Sequence, residues 1–176
     1  NPVNATIATA GASGSIANDD AATVSIADVT LAEGDAGTTA FDFTVSLSNP
    51  VDTSISMDAA TLDDSATTAD GDYAASAGQL DFAAGIVSKT FPVQVNGDTR
   101  FETSESFLAE LTNLQANGRN VTIADASGRG TIEDDDSAPV LSVANVTIDE
   151  SDGAAVLAMT LDAPSGQPVS VFWSTV

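Results

Sequence analysis

The chain has 176 residues, 43% of them hydrophobic, and its 26 acidic residues against 4 basic ones give a net charge of −22. This length holds one large or two small domains, and the apolar content is sufficient for a buried core. The acidic excess disfavours nucleic acid and anionic membrane surfaces as partners and favours cations. No run approaches the roughly 20 apolar residues of a membrane-spanning helix, so we predict no membrane insertion.

Cysteine and histidine are both absent. Disulfides, thiolate metal sites and the commonest zinc ligand are therefore excluded, and oxygen ligands suited to calcium or magnesium remain. The same absence removes the usual nucleophile and base of an enzyme, and we predict no enzymatic activity. The first residues lack the basic start and apolar core of a signal peptide, so we interpret the sequence as an internal part of a longer secreted chain, extracellular or on the cell surface.

The sequence repeats itself with a period of about 116 residues. Residues 14–20 return as residues 130–136, and residues 24–33 return as residues 141–150. A unit of this size is typical of one domain. We therefore divide the chain into C-terminal strands of a preceding repeat (1–20), a complete domain (21–136) and N-terminal strands of a following, truncated repeat (137–176). The linker Ser137-Ala138 is too short for neighbouring repeats to move freely.

Apolar residues alternate within the complete unit, which is typical of strands with one buried face. The predicted inward positions are Phe41, Phe43, Val45 and Leu47, then Ile55, Met57 and Ala59, then Phe91, Val93 and Val95, and finally Phe107, Ala109 and Leu111. The pattern predicts an all-β fold, an antiparallel two-sheet immunoglobulin-like sandwich with no helix longer than a turn. Tyr73 and Trp173 are predicted to pack inward rather than to serve as exposed ligand-binding aromatics.

Many acidic residues of the complete unit lie in loops and at strand ends. They are Glu33, Asp70, Asp72, Asp98, Glu102, Glu105, Asp134, Asp135 and Asp136. Loops of a sandwich can converge at one tip, where each like-charged pair at 4 Å would cost about 1 kcal/mol in water and about 4 kcal/mol at an effective dielectric of 20. Arg100 is the only basic residue of these loops, so a bound divalent ion, calcium before magnesium, is the simple remedy. Without such convergence the same acids form a solvated surface.

Several segments of the unit together resemble a Calx-β domain, the module of sodium/calcium exchanger regulatory regions, integrin β4 and many large bacterial surface proteins. They are Glu33 after the first strand, the turn 71–73, the turn 82–85 leading into 89–93, the segment 102–107 and the closing run 130–136. The resemblance covers residues 21–136. It implies a seven-stranded sandwich in tandem repeats, with calcium held at the tip nearest the following domain.

The resemblance also implies which residues bind calcium. The implied ligands are Glu33, Asp72, Asp98, Glu102, Glu105, Asp134, Asp135 and Asp136. Members of the family with the richest sites carry a run of acids before the segment that begins at Glu102. Gly97 and Thr99 interrupt that run here, which implies fewer ions or weaker binding.

The predicted function is that of a calcium-binding structural or adhesive extracellular repeat module, stiffened by calcium at the tip between repeats. Two alternatives remain open. The incomplete end segments carry unpaired strand edges that could pair with identical chains, which would make the chain a subunit of a surface fibre or filament. The module could instead be an adhesin for a surface glycan or protein, although exposed aromatic residues are few.

Overall fold

The computed structural model describes residues 3–6, 8, 11–15 and 20–174. In the described part the regular structure is eleven strands and a one-turn 3-10 helix over Glu150–Asp152. The strands are β1 (Ala21–Ile26), β2 (Val29–Ala32), β3 (Gly37–Leu47), β4 (Ile55–Asp63), β5 (Ala77–Phe82), β6 (Ser88–Gly97), β7 (Glu105–Gln115), β8 (Asn120–Asp125), β9 (Ser127–Glu133), β10 (Leu141–Val143) and β11 (Met159–Leu161). None of the described helices is long and apolar enough to cross a membrane.

The first nine strands form the predicted two-sheet sandwich. One sheet has the order β6-β3-β1-β8, and the other has the order β2-β9-β7-β4-β5. Most neighbouring strands are antiparallel, as expected, but β1 pairs with β8 and β2 pairs with β9 in parallel. The implied seven strands become nine because the first and the last strand each cross between the sheets, at residues 27–28 and at Ala126.

The core lies between the two sheets. All the predicted inward positions of β3, β4, β6 and β7 are buried, so the alternation read from the sequence is confirmed. Aromatic rings link the sheets: the Phe107 ring on β7 lies 5.8 Å from the Phe43 ring on β3 in an edge-on arrangement. The Tyr73 ring stacks on Phe107 at a centroid distance of 4.4 Å, which confirms that Tyr73 packs inward.

The described chain beyond residue 136 adds no strand to the two sheets of the sandwich. In the described part, β10 and β11 form a two-stranded sheet of their own. The prediction that Trp173 packs inward was wrong, because this residue lies outside any strand and its side chain is 75% exposed. Its surroundings contain no second sheet among the described residues that would cover it.

One turn of this region contacts the sandwich. Ser165 forms a parallel bridge with Phe101, and the backbone N–H of Gly166 donates a 2.9 Å hydrogen bond to the carbonyl oxygen of Phe101. A Cβ atom at Gly166 would lie 2.5 Å from Oε1 of Glu102. A side chain at residue 166 would therefore displace the flexible carboxylate end of Glu102, which lies directly against the turn.

Of the predicted strands in residues 1–20, residues 1, 2, 7, 9, 10 and 16–19 lie outside the described residues, as do residues 175 and 176. The remaining described residues before Ala21 contain no strand. Among the described residues, the sandwich therefore begins at β1.

Candidate metal centre

Parallel pairing brings the ends of β2 and β9 to the same tip of the sandwich. Ala32 is the register partner of Glu133, and the N–H of Glu33 continues the ladder with a 3.2 Å hydrogen bond to the carbonyl oxygen of Glu133. The chain positions of Glu33 and Asp134 are 101 residues apart. They become neighbours because two parallel strands end at the same edge of the sheet.

The end of β6 reaches the same tip through a close approach of two backbones. A Cβ atom at Gly97 would collide with the carbonyl oxygen of Gly34 and would lie 2.8 Å from that of Glu33. Only glycine fits at this position, since the obstacle is backbone that cannot rotate away. Asp98, the next residue, is thereby held beside Glu33.

The loop before Tyr73 and the start of β7 complete the tip. The N–H of Asn96 donates a 2.9 Å hydrogen bond to the carbonyl oxygen of Asp72, which ties the first loop to β6. Glu105 begins β7 and pairs with Ile132 of β9. The N–H of Glu102 donates a 3.2 Å hydrogen bond to Oδ2 of Asp134.

Three carboxylates at the tip have the spacing of a metal site. Glu33, Asp134 and Asp136 each offer an oxygen, and these three oxygens lie within 4.8 Å of one another. Oδ1 of Asp134 and Oδ2 of Asp136 are buried and have no hydrogen-bond partner among the described residues. Buried polar atoms are normally paired, so two orphaned carboxylate oxygens beside a third carboxylate fit a bound cation.

A second group of acids lines an open cavity of about 280 Å³ that adjoins the first group through Glu33. Its acidic lining consists of Glu33, Asp70, Asp72, Asp98, Glu102 and Glu105. The structure thus places seven of the eight predicted ligands in these two adjoining groups. The eighth, Asp135, is exposed and accepts a 3.0 Å hydrogen bond from the N–H of Gly34, so it holds the loop that carries Glu33.

Two acidic residues of the tip were missing from the predicted ligand set. Asp70 lines the cavity, and its charge helps to raise the pKa of Glu105. Asp35 contributes in the same way to the pKa of Asp136. Asp70 lies two residues before Asp72 and was visible as an acidic loop residue, whereas no sequence signal distinguished Asp35.

The protonation of the site reflects burial and crowding. Burial, followed by the charges of Asp98 and Glu102, raises the pKa of Glu33 to about 7. Burial, followed by the charge and hydrogen bond of Asp72, raises the pKa of Glu105 to about 7. Desolvation also raises the pKa of Glu102, although the nearby Arg100 opposes that shift. The site therefore costs free energy when all its carboxylates are charged and no cation is bound.

These shifts predict how the stability of the calcium-free chain depends on pH. Glu33 and Glu105 have folded pKa values of about 7 against the ordinary 4.5, so the folded chain takes up protons in this window that the unfolded chain does not. Taken at full size, the two shifts correspond to about 4 kcal/mol between about pH 8 and about pH 5.5. Solvent screening at this open tip reduces such energies, so the free energy of unfolding should rise by about 2 kcal/mol in total as the pH falls over this window. Urea unfolding in the presence of chelator, at a series of pH values, measures this change in the free energy of unfolding. A Glu33→Gln, Glu105→Gln double variant should lose most of the slope, and a stability that falls over this window contradicts the prediction.

The Calx-beta domain family model matches residues 17–136. Among similar solved structures, the apo-form Calx CBD1 domain has a TM-score of 0.57 at 24% identity, covering 65% of this chain and 98% of that one. The calcium binding domain CBD12 of CALX1.1 has a TM-score of 0.57 at 23% identity, covering 69% of this chain and 50% of that one. CBD12 from CALX1.2 has a TM-score of 0.58 at 24% identity, covering 70% of this chain and 49% of that one.

At these identities the structural likeness establishes the fold alone, and the chain spans about half the length of the two CBD12 structures. No curated protein sequence matches the chain significantly. The family model, however, extends over more than half of the chain and includes all the strands of the sandwich. The chain belongs to the Calx-beta domain family.

Proposed function

We propose that this chain is a calcium-binding structural module of a secreted or cell-surface protein, in which calcium at the acidic tip stiffens the joint with the residues that follow. The observation that carries the proposal is the triad of Glu33, Asp134 and Asp136, with two buried carboxylate oxygens that lack a partner among the described residues. A cation between these oxygens would satisfy both and would remove the repulsion at the tip.

The chemistry of the donors favours calcium over other cations. The chain has neither histidine nor cysteine, and the tip offers carboxylates of irregular arrangement, which suit the flexible oxygen coordination of calcium better than the strict octahedron of magnesium. The CBD12 structure of CALX1.1 is described as a calcium binding domain. Membership of the same family supports extending that property to this chain.

Each predicted ligand then has a definite role. Glu33, Asp134 and Asp136 would hold the first ion, and the cavity acids Asp72, Asp98, Glu102 and Glu105 would complete its shell or hold a second ion. Asp135 would act indirectly, because its carboxylate already positions Gly34. Bound calcium supplies positive charge to the tip, and we assign the site to structure rather than to catalysis.

The position of the site supports the stiffening of the joint. Asp136 directly precedes the short connection Ser137-Ala138, and Glu102 belongs to the loop on which the turn around Gly166 rests. Fixing both residues on bound calcium would restrain the connection and the contact surface at the same time. Extracellular calcium modules bind calcium with Kd values of about 10⁻⁴ to 10⁻³ M, so an affinity in that range would suffice at the location that we propose.

Calcium binding itself is tested by calorimetric titration of the full chain. We expect saturable binding of calcium and much weaker binding of magnesium, and the Asp134→Asn and Asp136→Asn variants should each weaken calcium binding at least tenfold. Asp81→Asn is the matched control, since Asp81 is exposed on β5 away from the tip. A wild-type chain that binds no calcium, or that binds magnesium equally well, would disprove the proposal.

Stiffening is tested by a distance measurement. Because the chain has no cysteine, two spin labels can be attached through Gln79→Cys on β5 and Ser151→Cys in the 3-10 helix, both at exposed positions. Calcium should narrow the distribution of label-to-label distances, and Asp134→Asn should prevent the narrowing. If the distance distribution stays equally broad in saturating calcium, the proposed calcium binding would stand, but the proposed stiffening would be contradicted.

A further inference from the structure

Arg100 is the only basic side chain that lines the acidic cavity among the described residues. The chain has four Lys and Arg residues in all. Of the others, Arg119 pairs with Asp52 and Arg129 pairs with Asp64, neither of which lines this cavity. A single cation among so many carboxylates must affect any metal ion that binds there.

Two acidic residues of the site hold Arg100 in place. Its Nε atom lies 3.2 Å from Oε1 of Glu102, and its backbone N–H donates a 2.6 Å hydrogen bond to Oδ1 of Asp98. Both partners are among the predicted calcium ligands. The guanidinium therefore engages an oxygen of Glu102, whereas the Asp98 carboxylate is held by the backbone of residue 100.

We infer that the Arg100 side chain is a built-in competitor of the metal: its guanidinium pairs with Glu102 when no calcium is bound and must release that carboxylate when calcium binds. This inference rests on the proposed calcium function. The ion pair is partly exposed, with 53% of the Arg100 side chain and 27% of the Glu102 side chain accessible, and such pairs are weak enough to be displaced. The arginine therefore lowers the affinity of the site without closing it.

Competition has two opposite consequences for the same residue. Without calcium, Arg100 offsets part of the repulsion among the tip carboxylates and stabilises the fold. With calcium, its positive charge and its hold on Glu102 oppose the ion. Substituting Arg100 should therefore lower stability but strengthen calcium binding. Substituting a residue with a merely structural role would weaken both the fold and calcium binding.

The test compares Arg100→Gln with Arg119→Gln in the full chain. The two variants change the net charge equally, but Arg119 donates to Asp52 from its Nε and Nη2 atoms and lies outside the cavity. By calorimetric titration at about 0.1 M salt, Arg100→Gln should bind calcium about five- to tenfold more tightly, whereas Arg119→Gln should stay within about twofold of the wild type. Arg100→Lys keeps the charge and should stay within about threefold of the wild type.

Two further measurements sharpen the result. In chelator, Arg100→Gln should lower the melting temperature by about 2 °C. In a Glu102→Gln background the gain in calcium affinity from Arg100→Gln should fall below about twofold, because the carboxylate for which both cations compete is gone.

The outcomes separate this inference from the proposed function. Calcium binding by the wild type with no tightening in Arg100→Gln overturns the competition and leaves the proposed function standing. Equal tightening in Arg100→Gln and Arg119→Gln also overturns it, because net charge alone would then explain the effect. Failure of the wild type to bind calcium overturns both.

Discussion

Calcium at about one hundred times its Kd is expected to raise the free energy of unfolding of the chain by about 2.7 kcal/mol, which corresponds to a rise in melting temperature of about 5 to 10 °C. The reason is linkage: an ion that binds the folded tip and not the unfolded chain stabilises the fold by its binding free energy. The orphaned oxygens of Asp134 and Asp136 are the groups that gain a partner. Thermal unfolding in calcium and in chelator measures the difference.

The Asp134→Asn substitution should have opposite effects on the melting temperature in chelator and in calcium. In chelator it removes one charge from a group whose oxygens lie within 4.8 Å of one another, so the variant should melt at a higher temperature than the wild type, by about 1 to 2 °C. In calcium it should lose most of the gain, because a metal ligand has lost its charge. Asp81→Asn should follow the wild type under both conditions. A calcium shift that survives Asp134→Asn would place the ion elsewhere, and the absence of any shift would reduce the tip to a solvated acidic surface.

The sandwich and its core could be predicted because their signal is local. Phe41, Phe43, Val45 and Leu47 alternate along one strand, and each is buried in the structure. A period of two fixes which face a side chain occupies, whatever the strand pairs with. Trp173 is exposed despite its position in an alternating segment, since its burial would require a second sheet, which periodicity alone does not supply.

The ligand set came from family resemblance rather than from the physical chemistry of the sequence. Glu33 lies beside Asp134 because β2 pairs with β9 in parallel. No residue pattern in either segment predicts that pairing. The role of Gly97 depends likewise on a backbone that approaches from another loop. Sequence reasoning found the acidic loops, but the contacts that turn them into a site are non-local, and Asp135 shows that an acidic loop residue can serve the backbone instead.

Phe107→Ala is expected to destabilise the chain by about 3 to 5 kcal/mol, because it removes a fully buried ring and leaves a cavity between the sheets. The ring lies 5.9 Å from that of Phe41 and stacks on that of Tyr73. Urea unfolding at a fixed calcium concentration measures the loss. A cost below about 1 kcal/mol would show that the two sheets repack without this ring.

A substitution at Gly130 tests the same packing by adding volume beside the Phe107 ring instead of removing the ring. It pairs with Phe107 across β7 and β9, and a Cβ atom there would lie 2.6 Å from Cζ of the ring. Gly130→Ala alone should therefore cost about 2 kcal/mol by overpacking. Combined with Phe107→Ala, the added methyl group enters the space that the ring left, so the double variant should be about 1 kcal/mol more stable than the sum of the single effects predicts. Strict additivity would contradict the contact.

This aromatic contact also connects the core to the tip. Tyr73 follows Asp72 directly, Phe107 lies two residues after Glu105, and Gly130 lies four residues before Asp134. Phe107→Ala should consequently weaken calcium binding about tenfold in chains that remain folded, since the three elements that present ligands lose their common support.

Phe82→Ala is the matched control: its ring is equally buried on β5, but it lines neither group of tip acids. It should therefore reduce stability to a similar extent while leaving the affinity for calcium within about twofold of the wild type. Equal losses of affinity in the two variants would mean that the tip responds to global stability alone.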